Sequence, residues 1–280
     1  MLTLTKSHIP LRLAAIASPP ATLYIEGDLE GALQSPSVAI VGSRKVTAYG
    51  REVTKRFATE LAKQGITIIS GLAFGVDSIA HQAALDAGGR TVAVLPSPLE
   101  SIYPASHRQL ARHIVEQGGA LVTEYPVGTE SFKGNFVARN RIIAGLADVT
   151  LITEAALKSG SLHTARFALN AGRDVMAVPG NITSPTSEGA NNLIRSGATP
   201  VTSVDDILYV LGINPDNQKR VVTGANEAEQ AILNLLIAGE LDGDIIQSRS
   251  GLPVEQFNQT LTMLEITGKI RSLGANQWSL

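Results

Sequence analysis

One short stretch of the chain combines aromatic and cationic side chains and contains no acidic residue. Its aromatic residues are Phe132 and Phe136, and its cations are Lys133, Arg139 and Arg141. Aromatic faces stack on unpaired bases and cations neutralise phosphates, so this combination is typical of a surface that binds single-stranded nucleic acid. The structural alternative places Phe136 in the core and Arg139 in a salt bridge.

Arg44 and Lys45 lie in a second stretch without acidic residues, directly after a predicted strand at Val38–Val41. The small residues Gly42 and Ser43 open this turn, and a predicted helix follows it. A strand-to-helix turn of this kind offers backbone N–H groups and the positive end of a helix dipole to an anion. We therefore predict a phosphate site here, with a solvated basic turn as the alternative.

Two further turns after predicted strands contain small residues. The first holds Gly71 and Gly75, and the second holds Ser159, Gly160 and Ser161. The first turn matches neither the GxGxxG spacing of dinucleotide sites nor the GxxxxGK[ST] phosphate loop. We expect both turns to approach phosphates, and we expect Ser161 to cap the helix that follows it.

Groups suited to catalysis are scarce. Asp77 and His81 stand four positions apart on a predicted helix, where they could form a hydrogen bond that we interpret as structural. The chain has no cysteine, its histidines lack metal-ligand spacing, and it has no GxSxG elbow. The sequence therefore predicts no catalytic residue, no metal and no cofactor.

Composition limits the class of protein. The 280 residues are 44% hydrophobic and carry a net charge of -2, so any contact with nucleic acid must be local. No stretch approaches the roughly 18 apolar residues of a membrane span, and the N-terminus does not resemble a signal peptide. We expect a soluble cytoplasmic protein that does not engage a membrane.

Short β-branched runs alternate with helix-like segments, which predicts an α/β fold with a doubly wound, mostly parallel sheet. The predicted strands are Val38–Val41, Ile66–Ser70, Thr91–Leu95, Ala120–Thr123, Val149–Thr153 and Asp174–Val178. The predicted helices are Tyr49–Gln64, Val76–Ala87, Ala105–Gln117, Ala138–Ala147, Leu162–Ala171, Glu188–Ser196 and Val204–Leu211. In such sheets ligands bind at the carboxyl ends of the strands, where the turns described above lie.

The chain divides into an N-terminal extension (1–22), a Rossmann-like domain (23–212), a linker (213–225) and a small winged-helix-like domain (226–280). That last domain has three basic and seven acidic residues, a net charge of -4. Its predicted recognition helix, Val254–Gly268, contains Glu255 and Glu265 and no lysine or arginine. Duplex binding requires cations, so we predict that this domain contacts protein rather than DNA.

The chain resembles the DprA/Smf family (DNA processing protein A) from about Leu23 to Leu211. The resemblance is carried by GSRKVTAYG, SGLAFGVDSIAHQAAL, YPASHRQL, FVARNRIIAGLADVTLITEA, SGSLHTARFALNAGRDVMAVPG and SEGANNLIRSGA. It implies an extended Rossmann-like fold, binding of single-stranded DNA, a homodimer, and loading of the recombinase RecA during natural transformation and recombination. It implies no enzymatic activity. Members usually carry a small helical domain ahead of the Rossmann-like core, whereas here about twenty residues precede Leu23, so we expect that domain to be missing.

The resemblance also assigns residues. It matches Arg44 to the arginine of the first glycine turn, and Lys133, Phe136, Arg139 and Asn140 to the DNA-contact loop. The expected DNA contacts are thus Arg44, Lys45, Lys133, Phe136, Arg139, Asn140 and Arg141. The expected phosphate-binding turns contain Gly42, Ser43, Gly71, Gly75, Ser159, Gly160 and Ser161.

Two other functions stay open at this stage. One is a nucleotide N-glycosidase of the lysine-decarboxylase-like Rossmann group, whose members carry PGGxGTxxE. The nearest segment here, Lys158–Arg166, lacks both the double glycine and the glutamate. The other is a sensor that binds a small nucleotide without catalysis.

Overall fold

The computed structural model describes residues 2–5, 8–130, 132–213 and 224–279. The chain folds as two units, Met1–Ile213 and Asn214–Leu280, which are treated separately below. The predicted linker, 213–225, lies outside the described residues except at its ends. Among the residues that the structure describes, no helix has both the length and the apolar character needed to cross a bilayer.

The first unit is built on one sheet. Its strands are β1 (Leu2–Thr5), β2 (Thr22–Gly27), β3 (Ser37–Val41), β4 (Thr67–Ser70), β5 (Thr91–Val94), β6 (Ala120–Thr123), β7 (Val149–Ile152), β8 (Asp174–Ala177) and β9 (Thr199–Pro200). In the described part of the chain they pair in the order β1-β2-β6-β5-β4-β3-β7-β8-β9. The pairs from β6 to β9 are parallel, whereas β1 and β2 add an antiparallel edge.

The strand order reverses between β3 and β7. Val41 pairs with Ile152, so the turns that leave these two strands begin side by side. A crevice at the carboxyl ends of the strands is the expected consequence of this reversal. The predicted doubly wound, mostly parallel sheet is confirmed.

Helices cover both faces of the sheet. They are α1 (Leu11–Ala14), α2 (Leu29–Ala32), α3 (Ala48–Lys63), α4 (Val76–Asp86), α5 (Arg108–Glu116), α6 (Lys133–Leu146), α7 (Ser161–Asn170), α8 (Glu188–Arg195) and α9 (Val204–Val210). A 3₁₀ turn over Ala105–His107 precedes α5.

The two faces of β3 show how the core is divided. Val38 and Ile40 pack in a cluster with Phe57 and Leu61 of α3, whereas the alternate residues of the strand face the helices on the other side. All five residues of β3 are buried, as expected for a parallel strand covered on both faces.

Several features differ from the predicted elements, among them α1, α2 and β9, which were not predicted. Residues 2–5 of the predicted extension form the edge strand β1, and β2 was not predicted at all. Helix α6 begins at Lys133, five residues before the predicted start at Ala138, so the predicted DNA-contact loop is largely helical. Gly134 and Asn135 are weak helix formers and obscured this start.

The second unit contains α10 (Glu227–Ile237), α11 (Gly243–Ser250), α12 (Val254–Ile266) and the hairpin of β10 (Arg271–Gly274) and β11 (Gln277–Ser279). Ile232, Leu236, Phe257 and Leu264 belong to its own buried cluster. Three helices followed by a β-hairpin confirm the predicted winged-helix-like domain.

Candidate single-stranded nucleic-acid interface

The turns that leave β3, β4 and β7 lie against one another where the strand order reverses. The Ser43 amide donates to the carbonyl of Glu154 at 2.8 Å, and the Val76 amide donates to the carbonyl of Ser43 at 3.1 Å. Gly75 has a φ of +79°, and a β-carbon there would lie 2.2 Å from the Ser43 carbonyl oxygen. A β-carbon on Gly42 would come within 2.7 Å of the Glu154 carbonyl oxygen. These close approaches require glycine at both positions.

A carboxylate of the chain itself occupies the first turn of α3. Glu154 is 2% exposed, and its side chain accepts a hydrogen bond from the Thr47 amide at 3.1 Å and another from the Thr47 hydroxyl. The Thr47 hydroxyl in turn accepts from the Gly50 amide and caps the helix. Glu154 therefore occupies the position where we expected an external phosphate at the end of the helix.

The two acid-free stretches meet at the surface. The exposed guanidinium of Arg44 lies over the ring of Phe136, 5.1 Å from its centroid. Tyr103, which is 50% exposed, contacts the same ring edge to face, with centroids 5.2 Å apart and planes at 82°. Arg44, Tyr103 and Phe136 are called the aromatic site below. It offers one cation and two aromatic rings in direct contact.

Further exposed groups accompany the aromatic site. Lys45 follows Arg44 in the turn after β3, and Lys133 lies one helical turn before Phe136 on α6; both lysines are exposed. Phe132, immediately before α6, is 62% exposed. A hydrogen bond holds the first turn of α6 near the carboxyl end of β5: Asn135 Nδ2 donates to the carbonyl of Pro96 at 3.3 Å.

Arg139 lies in the interior, 3% exposed. Its guanidinium donates to the carbonyls of Gly71 and Val94, and its Nε donates to Asn140 at 3.2 Å. Burial lowers the pKa of Arg139 to about 10, an effect that the nearby Asp77 opposes. Burial raises the pKa of Asp77, and Arg139 opposes that change in turn. This placement is at odds with the expected phosphate contact of Arg139, because its guanidinium already donates hydrogen bonds to backbone carbonyls at the ends of β4 and β5.

Asn140 and Arg141 are also engaged inside the protein. Asn140 is 9% exposed, and its amide donates to the carbonyl of Gly160 at 3.3 Å. Arg141 forms a two-pronged salt bridge with Glu124, with N–O distances of 2.6 and 2.7 Å. Both residues hold α6 to neighbouring turns and do not point freely into solvent as DNA contacts would.

The turn before α7 differs in detail from the prediction. Ser161 is the first residue of α7 and is buried, so it does not cap the helix as expected. Ser159 takes part of that role, since its hydroxyl accepts from the Ser161 amide at 3.4 Å and lies 2.8 Å from the Ser161 hydroxyl. Gly160 is exposed, and its carbonyl connects this turn to α6 through Asn140.

Asp77 and His81 bind different partners. Asp77 accepts from the Gly71 amide at 3.1 Å, whereas His81 Nδ1 lies 2.6 Å from the Thr91 hydroxyl. Burial, with Arg139 and His107, lowers the pKa of His81 to about 3, so the ring is neutral near pH 7. Both side chains stabilise the fold, which agrees with their structural interpretation.

Among the described residues, no group of three or more His, Asp or Glu side chains is arranged to hold a metal.

Sequence reasoning missed Tyr103 and Phe74. Phe74, in the turn after β4, is 48% exposed and meets His107 edge to face, with centroids 5.0 Å apart. Each is an aromatic residue in a turn that follows a predicted parallel strand, and this combination could have marked both as candidates. The sequence does not show which of these turns lie next to each other in the fold.

Comparison with known proteins identifies the family. The family model described as "DNA recombination-mediator protein A" matches residues 1–212, and one described as "DprA winged helix domain" matches residues 218–276. Protein Smf of Escherichia coli is 42% identical over 273 residues, which cover 94% of this chain and 73% of that protein.

Solved structures agree with this result. DNA processing protein A of Streptococcus pneumoniae matches with a TM-score of 0.70 and 38% identity, over 74% of this chain and 73% of that one. The Helicobacter pylori protein, whose structure was described for its single-stranded DNA binding mode, matches with a TM-score of 0.68 and 36% identity, over 75% of this chain and 94% of that one. The chain therefore belongs to the DNA recombination-mediator protein A (DprA/Smf) family.

Proposed function

We propose that the chain binds single-stranded DNA at the carboxyl edge of the sheet. The observation that supports this most directly is the placement of the Arg44 guanidinium over the Phe136 ring, with Tyr103 against the same ring. A strand can pass its phosphates along exposed cations while its bases stack on neighbouring rings, and such stacking contributes about 1 to 3 kcal/mol per base.

The predicted contacts divide into two groups under this proposal. Arg44, Lys45 and Lys133 are exposed and bind phosphates, while Phe136 and Tyr103 receive bases. Arg139, Asn140 and Arg141 act as positioning residues, since their side chains hold α6 against the turns after β4, β6 and β7. The turns containing Gly42, Ser43, Gly71, Gly75, Ser159, Gly160 and Ser161 form the backbone beneath the site.

Membership of the family supports two extensions of the proposal. The first is that the bound strand is protected and passed to RecA in natural transformation and recombination, as the family description of a recombination mediator suggests. The second is that the chain acts as a homodimer in the cytoplasm. The first is tested by measuring the assembly of RecA on single-stranded DNA with and without the protein. The homodimer is tested by measuring the mass of the protein in solution.

The enzymatic alternative has less support. A glycosidase needs a carboxyl group that is free to act as an acid or nucleophile. The carboxylate that precedes the Lys158–Arg166 segment is Glu154, which is 2% exposed and hydrogen-bonded to Thr47. Incubation with AMP, followed by assay for released adenine, tests this alternative, and release of adenine would support it.

The proposed function is tested by competition between strand forms. Fluorescence anisotropy is measured for a labelled single strand, with unlabelled single strand or duplex of the same sequence as competitor. The single strand should compete better, and Arg44→Ala should weaken binding, while the matched change Arg195→Ala on the exposed end of α8 should not. Equal competition by the duplex, or an equal effect of the two arginine changes, would refute the proposal.

A further inference from the structure

The segment between β5 and α5 contacts two aromatic rings that belong to different turns. Tyr103 meets Phe136 of α6, and four residues later His107 meets Phe74 of the turn after β4. His107 is fixed in place because its Nδ1 donates to the carbonyl of Leu72 at 2.8 Å. The segment 103–107 therefore connects the aromatic site to a second ring pair, His107 and the half-exposed Phe74.

A groove opens between α4 and α5, lined by His107, whose ring contacts Phe74. Its cavity measures about 530 Å³, which is in the range of small-ligand pockets. Its polar lining consists of Ser78, Gln82, Ser106, His107, Gln109 and His113. These side chains present hydroxyl, amide and imidazole groups, and none of them is a carboxylate or a permanent cation.

We propose that this groove is a second base subsite, in which an unpaired nucleobase of the strand held at the aromatic site lies against the ring pair of His107 and Phe74. This inference rests on the proposed function and extends it to a second point of contact. Amide side chains pair with the donors and acceptors on the edge of a base, as glutamine does with adenine in duplex recognition. The exposed Arg108, at the start of α5 beside His107, is placed to bind an adjoining phosphate.

The character of the groove favours a base over a free anion. A phosphate site would present cations or convergent backbone amides, whereas this lining is neutral apart from its two histidines. An exposed ring next to neutral hydrogen-bonding groups matches the flat apolar face and polar edge of a base. One short segment, 103–107, carries both a ring of the aromatic site and a ring that lines the groove, which favours a base on a polymer over an isolated nucleotide.

The test compares strands of two lengths. Anisotropy is measured with oligothymidylates of about 6 and about 20 nucleotides, lengths chosen to fill one subsite or both. The variants are Phe74→Ala, Gln109→Ala and, as a matched exposed control at the C-cap of α5, Gln117→Ala. Phe74→Ala should weaken binding of the long strand about fivefold or more and leave the short strand unchanged. Gln109→Ala should act in the same direction and Gln117→Ala should have no effect.

A cross-linking experiment on the unmodified protein provides an independent readout. Single strands with one 5-iodouracil at successive positions are irradiated with the full chain, and the linked peptides are identified by mass spectrometry. Links to Phe74 or His107 should appear at positions displaced along the strand from those that link to Tyr103 or Phe136. Links that never reach residues 72–82 or 105–113 would overturn the second subsite.

Failure of this inference is distinguishable from failure of the proposed function. If Lys133→Ala weakens both lengths while Phe74→Ala and Gln109→Ala weaken neither, the second subsite is wrong and the primary site stands. If Lys133→Ala and Phe136→Ala change neither length, the proposed function itself is wrong.

Discussion

The Thr47 amide donates a 3.1 Å hydrogen bond to the carboxylate of Glu154. This contact joins the first turn of α3 to the turn after β7, across the point where the strand order reverses. In many doubly wound folds a ligand phosphate binds at such a helix end. Because the chain supplies its own anion there, the exposed cations of the turn, Arg44 and Lys45, remain available to a different ligand.

Replacing Glu154 should destabilise the protein. Glu154→Gln keeps the shape but removes the charge, so the Thr47 amide and the start of α3 lose a charge-assisted hydrogen bond. We expect the free energy of unfolding to fall by about 2 kcal/mol. Urea unfolding measures this change, with the exposed Glu52→Gln on the same helix as control. A loss no larger than that of the control would contradict the structural role of Glu154.

Arg139 and Lys133 should separate stability from DNA binding. Arg139→Ala leaves Asp77 buried without its compensating charge, so we expect a loss of about 3 to 5 kcal/mol in unfolding free energy. Lys133→Ala should change stability by less than about 0.5 kcal/mol, because its side chain is exposed. Urea unfolding together with anisotropy distinguishes the two effects. Weak DNA binding by a fully stable Arg139→Ala protein would restore Arg139 as a direct contact.

His81 should make the protein less stable in acid. Its pKa is about 3 in the folded protein and close to the ordinary value of 6.5 when unfolded. Between these values the unfolded chain binds a proton that the folded protein does not, so stability falls as pH falls below 6.5. The slope approaches about 1.4 kcal/mol per pH unit.

The pH effect is isolated by comparing variants. Urea unfolding is measured from neutral pH to pH 4 for the unmodified protein, His81→Gln and the exposed control His113→Gln. His81→Gln should lower stability at neutral pH and flatten the slope, whereas the control should retain it. An unchanged slope in His81→Gln would show that other groups cause the acid sensitivity.

The winged-helix-like unit should not bind duplex DNA. The exposed Glu255 and Glu265 lie on α12, and the region from Asn226 onward has a net charge of -4. Duplex binding depends on neutralising phosphates with cations. Residues 224–280, which have their own buried cluster, should fail to retard duplex DNA at physiological salt. Retardation that decreases steeply with added salt would contradict this prediction.

The fold could be predicted from the sequence because its signals are local. Buried runs such as Val149–Ile152 are continuous and β-branched, and the intervening segments have helical periodicity. The antiparallel edge was not predicted because only two of the six residues of β2 are buried and because β2 follows a region without clear periodicity. The early start of α6 was not predicted because its first residues have low helical propensity. A tertiary hydrogen bond between Asn135 and Pro96 stabilises this turn, and the sequence does not show such a contact.

The site could be predicted only in part. Arg44 and Phe136 were identified by residue type, and the structure brings them together. Arg139 carries the same charge as Arg44, yet its partners, Gly71 and Val94, are 68 and 45 residues away in the chain. No local pattern could distinguish a buried arginine of this kind from an exposed one. The same reasoning explains why Tyr103 was missed.

The central claim is that exposed cations, the exposed Tyr103 and the partly buried Phe136 at the carboxyl edge of the sheet bind a single strand. The most direct measurement is anisotropy of a single-stranded oligonucleotide over a salt series for the unmodified protein, Lys133→Ala, Phe136→Ala and the exposed control Lys63→Ala. Lys133→Ala should reduce the slope of log affinity against log salt by about 0.7. Phe136→Ala should weaken binding about fivefold or more without changing that slope. Identical affinity and slope in all four proteins would contradict the claim.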